Sequence, residues 1–83
     1  MTSPASVLLA RNVRVERVRR GWKQSDLAER LGWSVARVTA VESGGRQLNI
    51  DAVIELCRAF EVPLTKLLED VDPAALDALG IGR

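Results

Sequence analysis

The stretch from Gly21 to Gly44, GWKQSDLAERLGWSVARVTAVESG, constrains the fold more than any other, because its apolar positions resolve into two short helical patterns on either side of a glycine. Leu27, Ala28 and Leu31 recur at helical spacing in the first half, Val38 and Val41 do so in the second, and Gly32 marks a tight turn between them. Both halves can therefore cover one core. Ser34 directly follows Trp33 in the turn, and its hydroxyl can cap the free N–H groups of a helix running from Val35 to about Ser43. Gly44 is expected to supply the left-handed stop. This is the layout of a helix-turn-helix, in which the second helix is offered to DNA.

The flanking sequence reads as helix as well, with no strand pattern and no internal repeat. Ser3 and Pro4 combine a cap with a first-turn proline, and the helix they open is expected to reach about Arg20 before Gly21 ends it. Leu9 and Val13 share one face of that helix. The next two helices are expected over about Gln24 to Leu31 and Val35 to Ser43. Asn49 can cap a fourth, in which Ile50, Val53, Ile54, Cys57 and Phe60 repeat at helical spacing and Leu56 widens the stripe. Pro63 opens a fifth with Leu64, Leu67 and Leu68. Asp72 and Pro73 open one more short segment, where Ala75, Leu76 and Leu79 form a small apolar face before Gly80.

Composition narrows the class. The chain has 83 residues, of which 47% are hydrophobic, enough for one small folded domain that would gain from burying further apolar surface in a dimer. Cys57 is the sole cysteine and there is no histidine, which excludes an intrachain disulfide and any ordinary zinc site and suits a reducing cytosol. The first residues lack the basic start of a signal peptide, and Val7 to Ala10 is too short an apolar run for an export core or a membrane span. A cytoplasmic location is expected, nucleoid-associated when the chain is bound to DNA.

The formal net charge of +1 hides a division along the chain. Residues 1–47 hold nine Lys and Arg against four Asp and Glu, a net +5, whereas residues 48–83 hold three against seven, a net −4. Small domains often have lopsided charge. Here the basic half coincides with the helix-turn-helix, as expected if that half faces phosphates and the other faces water or a partner subunit.

The run from Gln24 to Ala28, the Gly32 turn, the Glu42-Ser43-Gly44 end and the spaced apolar ladder together resemble the Cro/C1-type (XRE-like) family of helix-turn-helix DNA-binding domains. The resemblance extends upstream through Val13, Arg14 and Arg17. Downstream it includes Arg46, Ile50, Val53, Leu56, Cys57, Ala59, Phe60, Val62, Leu67 and Leu68, so that it covers roughly residues 9–69. It implies an all-α fold, a compact five-helix lambda-repressor-like domain over residues 1–70, followed by a short C-terminal helical extension over 71–83 that could serve dimerisation. The chain departs from the family in two places. Glu16 stands where an apolar residue is usual, so the inward face of the first helix is expected to be completed by Val15 or Val18. Lys23 replaces the common Thr or Ser cap of the second helix, which weakens the cap and adds a positive charge.

With the third helix in the major groove, Val38 and Val41 face inward and Val35, Ala36, Arg37, Thr39, Ala40 and Ser43 remain outside. Val35, Ala36 and the Thr39 methyl can touch thymine methyl groups, Arg37 alone there can make a bidentate bond to guanine, and Ala40 completes the set of expected base contacts. A phosphate contact or a solvated charge is the plainer reading of Arg37. Phosphate contacts are expected from Gln24, Lys23, Ser43, Arg46, Gln47 and Asn49. Gln24, at the first turn of the second helix, has a place that in the family both binds a phosphate and braces the recognition helix. The resemblance also implies a structural salt bridge between Arg17 and Glu42. Trp22 and Trp33 could suggest base stacking, but each stands beside a glycine where the family has apolar core residues, which favours packing. Cys57 is read as a small core residue.

No histidine, one cysteine expected in the core, and acids at capping or surface positions leave a catalytic reading without support, and neither a cofactor nor a small-molecule ligand is expected. The expected function is a sequence-specific, double-stranded-DNA-binding transcriptional regulator of bacterial or phage type, acting as a homodimer on a palindromic operator. Leu64, Leu68, Leu76, Leu79 and Ile81 are candidates for the dimer interface, the alternative for Leu64 and Leu68 being closure of the monomer core. Cro-like repressors, restriction-modification controllers and antitoxin-type regulators all fit the length. A protein-protein interaction module built on the same scaffold is the competing function.

Overall fold

The computed structural model describes residues 4–44 and 48–81. Among them the chain is all helical: α1 is Pro4–Arg19, α2 Gln24–Leu31, α3 Val35–Glu42, α4 Ile50–Phe60, α5 Leu64–Leu67 and α6 Pro73–Ala78. The sequence boundaries agree to within a residue. Ser3, the expected cap of α1, lies outside the described residues.

Four of the helix ends share one backbone solution, that of α6 included, where Gly80 takes φ 76° and the Ile81 N–H reaches Leu76 O at 3.1 Å. After α1, Gly21 takes φ 73° and the Trp22 N–H reaches back to the Arg17 carbonyl at 3.1 Å; after α2, Gly32 takes φ 72° and Trp33 N–H reaches Ala28 O at 2.9 Å. After α4 a non-glycine residue, Glu61, takes φ 56° and Val62 N–H reaches Cys57 O at 3.1 Å. In each case the left-handed residue turns the chain, and the amide that follows satisfies a carbonyl that the helix would otherwise leave open. The apolar residues that follow, Trp22, Trp33, Val62 and Ile81, all pack against the core. α3 does not end this way. Gly44 does not have the expected left-handed conformation, and the cap is Ser43 with φ −81°, whose N–H bonds Thr39 O at 2.9 Å while the Gly44 N–H reaches Val41 O at 3.5 Å. The right-handed geometry is simply carried one residue past the helix, so no left-handed residue is needed there.

The core draws on every element except the exposed face of α6. Val13 from α1, Leu27 and Ala28 from α2, Val38 and Val41 from α3, Leu56 and Phe60 from α4, and Leu67 from α5 are all buried. Each large side chain so enclosed contributes about 1.5–3 kcal/mol relative to its exposed state. The core continues past residue 70 through buried Val71, with Ala75, Leu76 and Ile81 packed against it. Leu68, a dimer candidate for which closure of the core was the alternative, is 6% exposed and belongs to this core: α5 is a single turn, and Leu67 and the cap residue Leu68 both turn inward. It is not available to a partner.

The inward face of α1 is completed by polar residues, against the expectation for Val15 and Val18, which are 45% and 56% exposed. Asn12 is buried and donates through Nδ2 to Leu67 O at 2.8 Å and Glu69 O at 2.9 Å, satisfying carbonyls at the end of α5. Glu16 is buried beside it, and its carboxylate accepts from Arg20 Nη1 at 2.8 Å and Arg19 Nη1 at 3.2 Å. Arg20 also donates through Nη2 to the Phe60 carbonyl at 2.7 Å. A buried carboxylate is costly unless paired and hydrogen-bonded, and here the pairing doubles as a clamp between α1 and the end of α4.

Candidate nucleic-acid interface

α3 is held by its two valines and leaves the rest of its circumference outside. Val38 and Val41 are each 1% exposed, whereas Val35, Ala36, Thr39 and Ser43 are exposed and Arg37 and Ala40 are half-buried. The sequence explains the start of the helix: Ser34 Oγ accepts from the Arg37 N–H at 3.1 Å, which fills one of the open donors of the first turn.

A polar network fixes how α3 lies on α1 and α2. Arg17 donates from Nε and Nη2 to the two carboxylate oxygens of Glu42, at 2.7 and 3.0 Å, and from Nη1 to the Trp22 carbonyl at 2.7 Å. Both side chains are largely buried, 12% and 4% exposed. Gln24 Nε2 adds a bond to Glu42 at 3.2 Å, and Gln24 Oε1 accepts from Thr39 Oγ1 at 2.9 Å. Gln24 thus braces α3 at two points one turn apart. The single proton of the Thr39 hydroxyl is shared between Gln24 Oε1 and Val35 O, the latter at 3.0 Å. Ser43 Oγ is turned back onto Thr39 O at 2.7 Å.

Around α3 lie the other residues expected at a nucleic-acid surface. Lys23 is exposed at the start of α2 and supplies no side-chain cap, but its own N–H is held by Asp26 Oδ2 at 2.8 Å, the reciprocal half of a capping box. Asn49 is exposed and caps α4, its Oδ1 accepting from Ala52 N–H at 2.8 Å. Arg46 and Gln47 lie outside the described residues. Arg14, which the sequence placed in the family resemblance but not among the DNA contacts, is exposed on α1 and lines a shallow depression together with Ser43 and Gly44. The signal for it was its spacing, three residues before Arg17 on the same side of a helix.

Arg37 has an arrangement that the sequence did not reveal. Its guanidinium carbon stands 3.9 Å from the centroid of the Trp33 ring. Trp33 itself packs against the core, and its Nε1 is buried with no hydrogen-bond partner among the described residues. Trp22 is likewise a packing residue, stacked on Phe60 with 5.8 Å between centroids and 16° between planes.

A second surface lies away from α3. Ile50, Val53, Ile54, Cys57, Val62 and Leu64 line an apolar groove of about 350 Å³ along α4, with Ile50 68% and Ile54 44% exposed. Cys57 is half-buried there, and burial pushes its thiol above the ordinary cysteine value, away from the reactive thiolate. Of the remaining dimer candidates, Leu64 lines this groove, Leu76 and Ile81 are partly buried against the core, and Leu79 is 60% exposed. Among the described residues no group of His, Cys, Asp and Glu gathers as metal ligands, and no helix is long and apolar enough to cross a membrane.

Two helices meeting at a glycine turn, the second braced from behind and bare in front, define a helix-turn-helix. The family model HTH_3, helix-turn-helix, matches residues 13–67, and the chain belongs to that family, the Cro/C1 type of DNA-binding transcriptional regulators. Among solved structures, the chain is similar to a hypothetical transcription factor, NHTF, from Neisseria, at 29% identity over 90% of this chain and 84% of that one, with a TM-score of 0.72. It is also similar to the restriction-modification controller protein C.AhdI from Aeromonas hydrophila, at 26% identity over 74% of this chain and 92% of that one, with a TM-score of 0.68. A point mutant of the restriction-modification controller protein C.Esp1396I shares the fold at 22% identity, with a TM-score of 0.72 and coverage of 87% of this chain and 100% of that one. No curated protein matches the chain significantly.

Proposed function

We propose that the protein regulates transcription by binding a palindromic operator in double-stranded DNA as a homodimer, with α3 of each subunit in the major groove and no catalytic activity of its own. The observation that carries this reading is the contrast between the two sides of α3. Its rear is locked by Arg17, Glu42 and Gln24, while Val35, Ala36, Arg37, Thr39 and Ala40 form an outward surface with few polar groups. That surface suits thymine methyl groups and one guanine, the latter through Arg37. Gln24, Lys23, Ser43, Arg46, Gln47 and Asn49 are assigned to phosphates, with Arg14 added for its place beside Ser43.

One short helix reads only a few base pairs, so useful specificity needs a second copy about one helical turn, roughly 34–36 Å, along the duplex. The dimer surface that the exposure pattern favours is the apolar groove along α4, where Ile50 and Ile54 are left uncovered beside Val53 and Leu64. Leu79 and Ile81 are secondary to it. The likeness to a restriction-modification controller makes such a controller the first system to consider.

The test is selection of bound fragments from random duplex DNA at two salt concentrations. The expected result is an inverted repeat bound with strong salt dependence. Enrichment of no sequence, with no salt-sensitive binding to any duplex, overturns the proposal.

A further inference from the structure

We infer that Trp33 is a specificity-determining positioning residue, whose ring face holds the Arg37 guanidinium ready for a guanine while leaving its N–H edge open. The inference rests on the proposed DNA reading and goes beyond it, since Trp33 itself touches no base in this account.

Three observations combine. The guanidinium carbon of Arg37 is 3.9 Å from the Trp33 ring centroid, close enough for face-to-face contact. The indole N–H and the guanidinium are both hydrogen-bond donors with no acceptor between them, so the ring meets Arg37 through its π face, and the Nε1 itself is buried and unpartnered among the described residues. Finally, the Arg37 guanidinium has no carboxylate or carbonyl partner among the described residues, unlike Arg17, Arg20, Arg19 and Arg11, whose donors are engaged by Glu42, Glu16 and Asp70. Stacking uses the plane of a guanidinium and none of its five N–H donors, which all lie in that plane.

The local sequence accounts for this arrangement. Trp33 precedes the Ser34 cap, and Arg37 follows four residues later in the first turn of α3. Helical side chains lean toward the N-terminus, so the long side chain of Arg37 runs back over the ring, which the core already holds in place. The first turn of a recognition helix is the part that meets base edges. A free arginine samples many rotamers and loses them on binding, whereas a stacked one has lost most of them already. In this chain the reading group is therefore aimed by a residue that sits in the turn, outside the helix that reads.

The test compares base preference and non-specific affinity for the parent protein, Arg37→Ala, Trp33→Leu and Trp33→Phe. Leucine keeps the apolar packing without a flat face, and phenylalanine restores the face. Trp33→Leu is expected to relax discrimination about tenfold at the same base pair that Arg37→Ala relaxes, with affinity for unrelated duplex unchanged, and Trp33→Phe to regain most of the loss. A Trp33→Leu profile equal to the parent's, where Arg37→Ala has lost its preference, overturns the positioning role while leaving the base-reading role standing. An unchanged Arg37→Ala profile overturns both. A second measurement needs no variant: ring-current displacement of the Arg37 side-chain protons by NMR is expected in the free protein and to persist on the selected operator. Its disappearance on binding would mean that Arg37 must leave the ring to reach DNA, which also overturns the inference.

Discussion

The dipeptide Gly-Trp occurs twice in this chain, and the two corners it makes have the same backbone but different surroundings. At Gly21-Trp22 and at Gly32-Trp33 a left-handed glycine ends a helix, the Trp amide returns to the carbonyl five residues back, and an arginine lies over the indole, Arg30 at 4.0 Å in the first case and Arg37 at 3.9 Å in the second. The first corner is then built into the molecule. Trp22 stacks on Phe60, Arg20 approaches both rings at 5.7 and 5.0 Å, and the Trp22 carbonyl is taken by Arg17, which in turn holds Glu42. At the second corner no other aromatic ring or arginine meets Trp33 among the described residues, and α3 starts immediately after it. The same local solution thus serves as a joint in one place and as a platform in the other, and what separates them is which elements pack behind the ring.

The largest effect is expected from breaking the joint. Arg17→Met removes three donors at once and leaves Glu42, whose side chain is 4% exposed, with only Gln24 as a partner. Loss of one member of a buried pair costs about 3–5 kcal/mol, and the lower end applies here because Gln24 remains; urea unfolding measures it. A cost below about 1 kcal/mol would show that the pair is solvated and that the first corner does not anchor α3. Next comes the pair Trp22→Leu and Trp33→Leu. The first loses an aromatic stack and two cation contacts and should cost about 2 kcal/mol. The second should cost less than about 1 kcal/mol, because Trp33 has no second ring to lose and its unpartnered indole N–H is removed with the ring. Equal costs for the two would erase the distinction between joint and platform.

Much of this was legible in the sequence because it depends on neighbours along the chain. The six helices, the Ser34, Asn49 and Asp72 caps and the inward Val38 and Val41 follow from spacing and capping chemistry, and the structure places each of them so. What was not legible depends on contacts between distant residues. Glu16 looked like a gap in the apolar face of α1 because nothing in α1 alone announces that Arg20 will bridge it to the Phe60 carbonyl, forty residues away. Leu68 stayed open between partner contact and core because a one-turn helix has no outward face that periodicity could reveal, and the structure resolves it to the core. Gly44 looked like a left-handed stop because glycine after a helix usually is one, but the chain continued right-handed through Ser43. Within the candidate site, Gln24 as a brace came from the family resemblance, while the Arg37 stack was hidden because each residue had been read for its own face, Trp33 for the core and Arg37 for DNA.

The corners themselves can be tested with smaller changes. A Cβ at Gly32 would meet nothing within 4 Å, so Gly32→Ala isolates the backbone term, expected at about 1 kcal/mol of destabilisation from placing alanine at φ 72°. Gly21→Ala should cost the same, since its surroundings are equally open and its φ is 73°. The third corner supplies the reverse experiment. Glu61 already bears the left-handed strain at φ 56°, with the same five-residue return bond from Val62, and its side chain is exposed. Glu61→Gly relieves that strain but gives the unfolded chain more freedom to lose, and it removes one negative charge from the acidic half. The strain is the larger of the two, so a net gain of about 0.5 kcal/mol is expected, read as a higher unfolding midpoint with an unchanged urea slope. A lower midpoint would mean that the Glu61 side chain contributes contacts worth more than the strain it imposes, and that this corner is a joint like the first.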